Sequence, residues 1–189
     1  TEGSKGMSGA IEKAEELAKE IPNSFIPGQF DNKANAKAHF LTTGPEIWGD
    51  TEGEVDIFIA GVGTGGTLTG TGEYLKLKKP EVRVVALEPA DSPVLSGGEA
   101  GPHKLQGIGA NFIPANFDNT YCDDIMLVDE EEAITETKRF AKETGILVGI
   151  SSGANIALAR RLARYYPNSK IVTIAPDGGE KYLSVLEFD

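Results

Sequence analysis

Apolar residues recur along this chain with two different periods, and the switches between them mark out the elements. Ile11, Ala14, Leu17, Ala18 and Ile21 fall three and four apart, which predicts a helix over 8–20 with one apolar face. Residues 24–30 read as a short strand after Pro22-Asn23, and 35–41 as a helix ended by Thr42-Thr43-Gly44-Pro45. The pattern then becomes regular. An apolar run at 55–60 leads through a glycine-rich turn into a helix over 68–78, closed by Pro80, and 82–87 is a second apolar run. A third strand is predicted at 125–128, followed by a helix over 130–144 that Asp129 caps. Residues 145–150 read as a short buried strand before a helix over 152–166, and 170–175 is the last strand.

Strands that alternate with helices require crossover connections, so the predicted class is α/β: a doubly wound, mostly parallel sheet with helices on both faces. The irregular stretch 89–121, rich in glycine and proline, is too long for an ordinary connection and is expected to be functional. The chain starts Thr1-Glu2-Gly3 without a methionine and runs almost at once into a helix, so it is expected to begin mid-architecture.

Composition narrows the function classes. Twenty-nine acidic against 18 basic residues give a formal charge of -11, which disfavours nucleic acid and anionic membranes as partners. No apolar run is long enough to span a bilayer. The single Cys122 excludes an internal disulfide framework, fits a reducing, cytoplasmic setting and reads as an inert buried thiol. Neither His39 nor His103 has a ligand neighbour at metal-binding spacing, so no metal site is expected.

The chemistry concentrates in Gly61-Val62-Gly63-Thr64-Gly65-Gly66-Thr67, between a predicted strand and a predicted helix. Glycines let backbone amides approach an anion closely, and a helix amino terminus adds free N–H groups and the positive end of its dipole. A purely structural turn needs one or two glycines, not four in six residues. Gly61, Gly63 and Gly66 also satisfy dinucleotide spacing, with Glu88 available to a ribose, so a nicotinamide oxidoreductase is a rival. Thr64 and Thr67 favour a terminal phosphate dianion instead, and the absence of a following Lys-Ser/Thr pair excludes a P-loop.

A second loop, Gly149-Ile150-Ser151-Ser152-Gly153, sits at another predicted strand–helix junction. Ser152 reads as the helix cap, which leaves Ser151 free to face a ligand. A lipase-type role for Ser151 is excluded because no histidine follows His103. Pro176 to Tyr182 supplies a third loop at the same sheet edge. Trp48, Phe40 and Phe112 are expected to be core or loop anchors, and Glu130, Glu131 and Glu132 to complement a helix dipole.

With Thr43-Gly44-Pro45-Glu46-Ile47-Trp48 and the segment from Gly101 to Ala110, these loops resemble O-acetylserine sulfhydrylases, the cysteine synthases, over nearly the whole chain. The resemblance implies the large domain of a fold type II pyridoxal-phosphate enzyme at 31–189, with 1–30 the end of a smaller substrate domain. It implies that Gly63, Thr64, Gly65, Gly66 and Thr67 bind the phosphate of pyridoxal 5'-phosphate and that Ser151 bonds the pyridine nitrogen. Gln29, Phe30 and Gly107 would face substrate, and Met7 and Lys104 would receive the carboxy-terminal tail of serine acetyltransferase. The implied reaction replaces the acetate of O-acetylserine with sulfide to give cysteine, in a cytoplasmic homodimer. The family's anchoring lysine and its Thr-Ser-Gly-Asn-Thr loop lie upstream of the position matching Thr1, so this chain alone is expected to be inactive unless the remainder is present as another chain; a non-catalytic partner-binding module is the alternative. Asn111 and Gly178 stand where relatives often carry glycine and serine.

Overall fold

The computed structural model describes residues 1–186. A short 3-10 turn precedes α1 (Gly6–Glu20); α2 (Ala34–Leu41) and α3 (Thr43–Asp50) follow. The regular part then runs β1 (Ile57–Gly61), α4 (Gly66–Lys78), β2 (Arg83–Pro89), β3 (Asp124–Val128), α5 (Glu130–Thr144), α6 (Ile150–Tyr165) and β4 (Ile171–Thr173).

The four strands form one sheet in the order β3-β2-β1-β4, every pair parallel. Alternation along the strands divides the core in two, as a sheet covered on both faces requires. Ile57, Ile59, Val85 and Leu87 pack with Ala154, Leu158 and Leu162 of α6. Phe58, Ala60, Val84 and Ala86 pack on the other face with Leu68 and Leu75 of α4. The α/β expectation therefore holds in class and topology. The chain leaves β1 towards β2 on one side and β4 returns on the other, so the carboxyl end of β1 is a switch point, where parallel sheets open a crevice for ligands.

Two expectations fail, and one helix goes unforeseen. Residues 24–30 form no strand: Pro22 and Pro27 remove backbone donors, and the segment has no neighbouring strand to pair with. α2 ends at Leu41 as expected, but the Gly44-Pro45 pair beyond it lies in the first turn of a further helix, α3. Proline is tolerated there because those N–H groups have no partner within the helix, and Gly44 brings α3 close enough to α4 that a Cβ would lie 2.6 Å from the Cβ of Tyr74. Residues 145–150 contribute only one antiparallel bridge, Val148 to Gly178, and Ile146 and Leu147 are exposed. A short apolar run without a sheet edge to join stays irregular.

Asp129 caps α5 by accepting from the Glu132 amide at 2.7 Å, with three glutamates in the first turn. Phe112 meets Phe30 edge-on at 5.0 Å between centroids, and Phe40 meets Tyr74 at 5.5 Å, so these rings anchor loops and helices. The buried members of both core clusters lie from 55 onward, with Ile47 and Trp48 of α3 packed against one of them, whereas α1 buries only Gly9.

Candidate phosphate and substrate site

The glycine loop turns from β1 into α4 at the switch point. Gly65 is the residue before the helix and holds φ at +84°, a left-handed conformation in which a side chain is strained. Three of its glycines are fixed by close neighbours. A Cβ on Gly63 would overlap the Gly107 carbonyl oxygen, one on Gly65 would lie 2.6 Å from the Phe117 amide nitrogen, and one on Gly66 would overlap the Asn35 side-chain oxygen. These glycines bring the backbone close to other backbone as well as freeing it to turn. The loop thus leads directly into the amino terminus of a 13-residue helix that no side chain caps.

The segment carrying Gly107 lies against this loop. Val62 donates to the Leu87 carbonyl at 3.0 Å, and Gly109 donates to the Val62 carbonyl at 2.9 Å, tying the two loops together. His103 Nε2 sits 2.8 Å from the Gly109 carbonyl oxygen. Gly107 is itself left-handed, and its vacant Cβ position is 3.7 Å from the Ser151 hydroxyl. Gly63, Gly107 and Ser151 are thus brought together. A cavity of about 610 Å³ opens beside them, lined by Gln29, Phe30, Gly63, Thr64 and Gly107, with Met7 at its rim. The side chain of Lys104 is largely exposed and pairs with Glu130 at 2.6 Å, which holds its pKa above the ordinary lysine range.

Both serines of the second loop are buried in the first turn of α6. Gly149, not Ser152, is the capping residue, and no side chain caps this helix; Ser152 Oγ instead donates to the Asp177 carbonyl at 3.4 Å. The expectation for Ser152 is corrected on that point. The third loop is held by the same residue: Gly149 N donates to the Asp177 carbonyl at 3.0 Å, and Tyr182 donates to Asp177 Oδ2 at 2.8 Å. Burial, with that bond, pushes the Tyr182 phenol up to about 12.

Several residues of the site give no signal in the sequence. Asn155 of α6 accepts from the Gly61 amide at 2.8 Å and donates to the Ile174 carbonyl at 2.8 Å, joining β1, α6 and the end of β4. His39 places Nδ1 2.9 Å from the Thr43 hydroxyl and Nε2 3.2 Å from that of Thr67, and burial lowers its pKa. Asn35 donates to Thr64 Oγ1 at 2.9 Å and to the Gln29 carbonyl at 2.8 Å, and Asn116 reaches that carbonyl at 3.0 Å. Each has at least one partner 28 or more residues away in sequence, which no local spacing announces.

The dinucleotide alternative loses its acidic partner. The Glu88 carboxylate is buried and accepts from the amides of Leu95 at 2.7 Å and Ser96 at 2.9 Å, and from the Ser96 hydroxyl at 2.5 Å. It organises the loop after β2 and faces no ribose site. Cys122 is half-buried, donates to the Asp124 carbonyl at 3.1 Å, and has its thiol pKa raised by that burial. No group of three or more potential metal ligands occurs among the described residues, and none of their helices is long and apolar enough to cross a membrane.

The arrangement suits a small phosphorylated ring compound. It sets backbone amides of a helix amino terminus and the Thr64 hydroxyl at the cavity, with the buried Ser151 hydroxyl behind Gly107. The chain is 51% identical over 199 residues to cysteine synthase A of Escherichia coli, an alignment covering all of this chain and 62% of that protein. It superposes on the cysteine synthase of Entamoeba histolytica with a TM-score of 0.90 at 44% identity, covering 98% of this chain and 55% of that one. With the O-acetylserine dependent cystathionine β-synthase of Helicobacter pylori the TM-score is 0.92 at 44% identity, covering 97% and 60%. The chain therefore spans a little over half the length of the relatives it matches. The family described as "Pyridoxal-phosphate dependent enzyme" matches residues 2–177, and the chain belongs to that family.

Proposed function

We propose that the protein is a pyridoxal-phosphate-dependent cysteine synthase, which makes L-cysteine from O-acetyl-L-serine and sulfide. The observation that carries this reading is that Gly63, Thr64 and Gly107 line one cavity at the amino terminus of α4, with the buried Ser151 hydroxyl directly behind Gly107. The amides of residues 63–67 with the hydroxyls of Thr64 and Thr67 hold the phosphate. The Ser151 hydroxyl meets the ring nitrogen as a neutral partner. A serine, unlike a carboxylate, leaves that nitrogen largely unprotonated, which suits elimination of a β-substituent. The cofactor, when bound, withdraws electrons from the substrate's α-carbon so that its proton and then acetate can leave.

Gln29 and Phe30 form the substrate wall of the cavity, and Gly107 leaves room for the substrate amine. The anchoring lysine and the carboxylate-gripping loop belong, on this reading, to the part of the relatives that this chain does not span. Residues 1–30 are assigned to the end of a smaller domain and 31–189 to the cofactor domain, in keeping with core clusters whose buried members lie from residue 55 onward. We assign the protein to the cytoplasm as a homodimer. Met7 and Lys104 are assigned to docking of a serine acetyltransferase tail; the exposure of both supports that role.

The test is turnover by the full-length protein. Supplied with pyridoxal 5'-phosphate, O-acetylserine and sulfide, it is expected to form cysteine. Acceptance of serine or phosphoserine in place of O-acetylserine corrects the leaving group, and preference for homocysteine over sulfide corrects the acceptor. Tight calorimetric binding of NADH with no cysteine formed overturns the reading.

A further inference from the structure

Asn35 lies outside every motif, yet it touches three parts of the site. Its Nδ2 donates both to the Gln29 carbonyl at 2.8 Å and to Thr64 Oγ1 at 2.9 Å, and its Oδ1 occupies the space that a side chain on Gly66 would need. The orientation of the amide is fixed by chemistry: a backbone carbonyl can only accept, so the group facing Gln29 must be the NH₂. The Gly66 amide also points at Thr64 Oγ1, at 3.4 Å. A hydroxyl has two acceptor lone pairs and one proton. With Asn35 and the Gly66 amide on its acceptor side, Thr64 has only its O–H left to offer, and Thr64 lines the 610 Å³ cavity.

We propose that Asn35 is a positioning residue of the phosphate cradle: it commits the Thr64 hydroxyl to donate into the cavity and ties the cradle to the Gln29–Phe30 segment. This rests on the cofactor reading above. A phosphate dianion accepts only, so a hydroxyl with its proton already aimed at it forms a charge-assisted bond without first breaking another. The same amide group holds the Gln29 backbone, so the substrate wall and the phosphate loop share one anchor. Asn116 completes that anchor from the other side: its Nδ2 reaches the Gln29 carbonyl, and its amide donates to the Phe30 carbonyl at 3.0 Å.

The test compares two probes, pyridoxal 5'-phosphate and unphosphorylated pyridoxal, binding to the full-length protein by fluorescence titration. Asn35→Ala is expected to weaken the phosphorylated probe about tenfold, and Asn35→Asp on the order of 10- to 100-fold, since a carboxylate captures the Thr64 proton and repels the dianion. Pyridoxal should change by no more than about twofold on the same argument. In a Thr64→Val background, Asn35→Ala should add little, because the hydroxyl it directs is already gone. Asn35→Asp keeps the side chain's shape, so it reports on positioning even if Asn35→Ala folds poorly. Equal losses for both probes, or full additivity with Thr64→Val, overturn the proposal. A wild-type protein that binds the two probes equally overturns the cofactor reading instead. A wild-type preference for the phosphorylated probe that survives both Asn35 substitutions overturns this inference alone.

Discussion

Gly65→Ala is the most demanding single test of why the loop is built from glycine. Two independent penalties meet at this position. The backbone is left-handed, at φ +84°, which costs an L-residue about 1–2 kcal/mol. The new Cβ also lies 2.6, 2.8 and 2.9 Å from the N, Cα and Cβ of Phe117, where ordinary contact begins near 3.4 Å. Backbone on both sides cannot rotate away as a flexible side chain would, so one segment must retreat by roughly 0.5–0.8 Å in a close-packed region. Overpacking of that kind costs about 1–3 kcal/mol. Together these predict a loss of about 2–5 kcal/mol in unfolding free energy, measured by urea denaturation. The matched control is Gly49→Ala in α3, where a Cβ meets nothing within 4 Å; it should be neutral or stabilising by up to about 1 kcal/mol. The cofactor titration on the same samples should show weaker binding for Gly65→Ala alone, since the shift moves the amides that face the phosphate. Gly65→Ala behaving like Gly49→Ala in both assays would refute the claim that close approach dictates this loop.

Other substitutions probe the supports of the site. Asn155→Ala strips partners from the Gly61 amide and the Ile174 carbonyl and should destabilise by about 2–4 kcal/mol in the same denaturation assay; a change below 0.5 kcal/mol would contradict the bridge. Each Glu88 oxygen faces a backbone amide that can only donate, so Glu88→Gln sets an NH₂ against one of them and should cost about 1–3 kcal/mol, with faster amide exchange at Leu95 and Ser96. Tyr182 binds its proton more tightly when folded, with a pKa near 12 against 10 unfolded, so stability should fall as pH rises from 10 towards 12. Tyr182→Phe should remove that part of the alkaline slope, and an identical slope in the variant would count against the assignment.

The α/β part of the chain was legible in the sequence because its strands and helices are periodic and joined by punctuated turns. The strands of the sheet core, with α4, α5 and α6, emerged within a few residues of where they stand. The failures share one cause: the deciding partner lies elsewhere in space. Residues 24–30 look extended but have no strand beside them, and Gly44 is explained only by the Tyr74 side chain packed against it. The same holds within the site. The glycine loop announces itself because glycine is needed in several adjacent places. Asn35, His39, Asn116 and Asn155 are ordinary polar residues whose partners become visible only once α2, the glycine loop and α6 are assembled.

The central claim is that residues 63–67 and Ser151 together hold one phosphorylated pyridine. The most direct measurement is a crystal structure of the full-length protein grown with pyridoxal 5'-phosphate. The phosphate should accept from the amides of 63–67 and from the Thr64 hydroxyl, with the ring nitrogen at the Ser151 hydroxyl. A phosphate bound outside that loop, or a ring turned so that Ser151 meets no polar atom, would contradict the account.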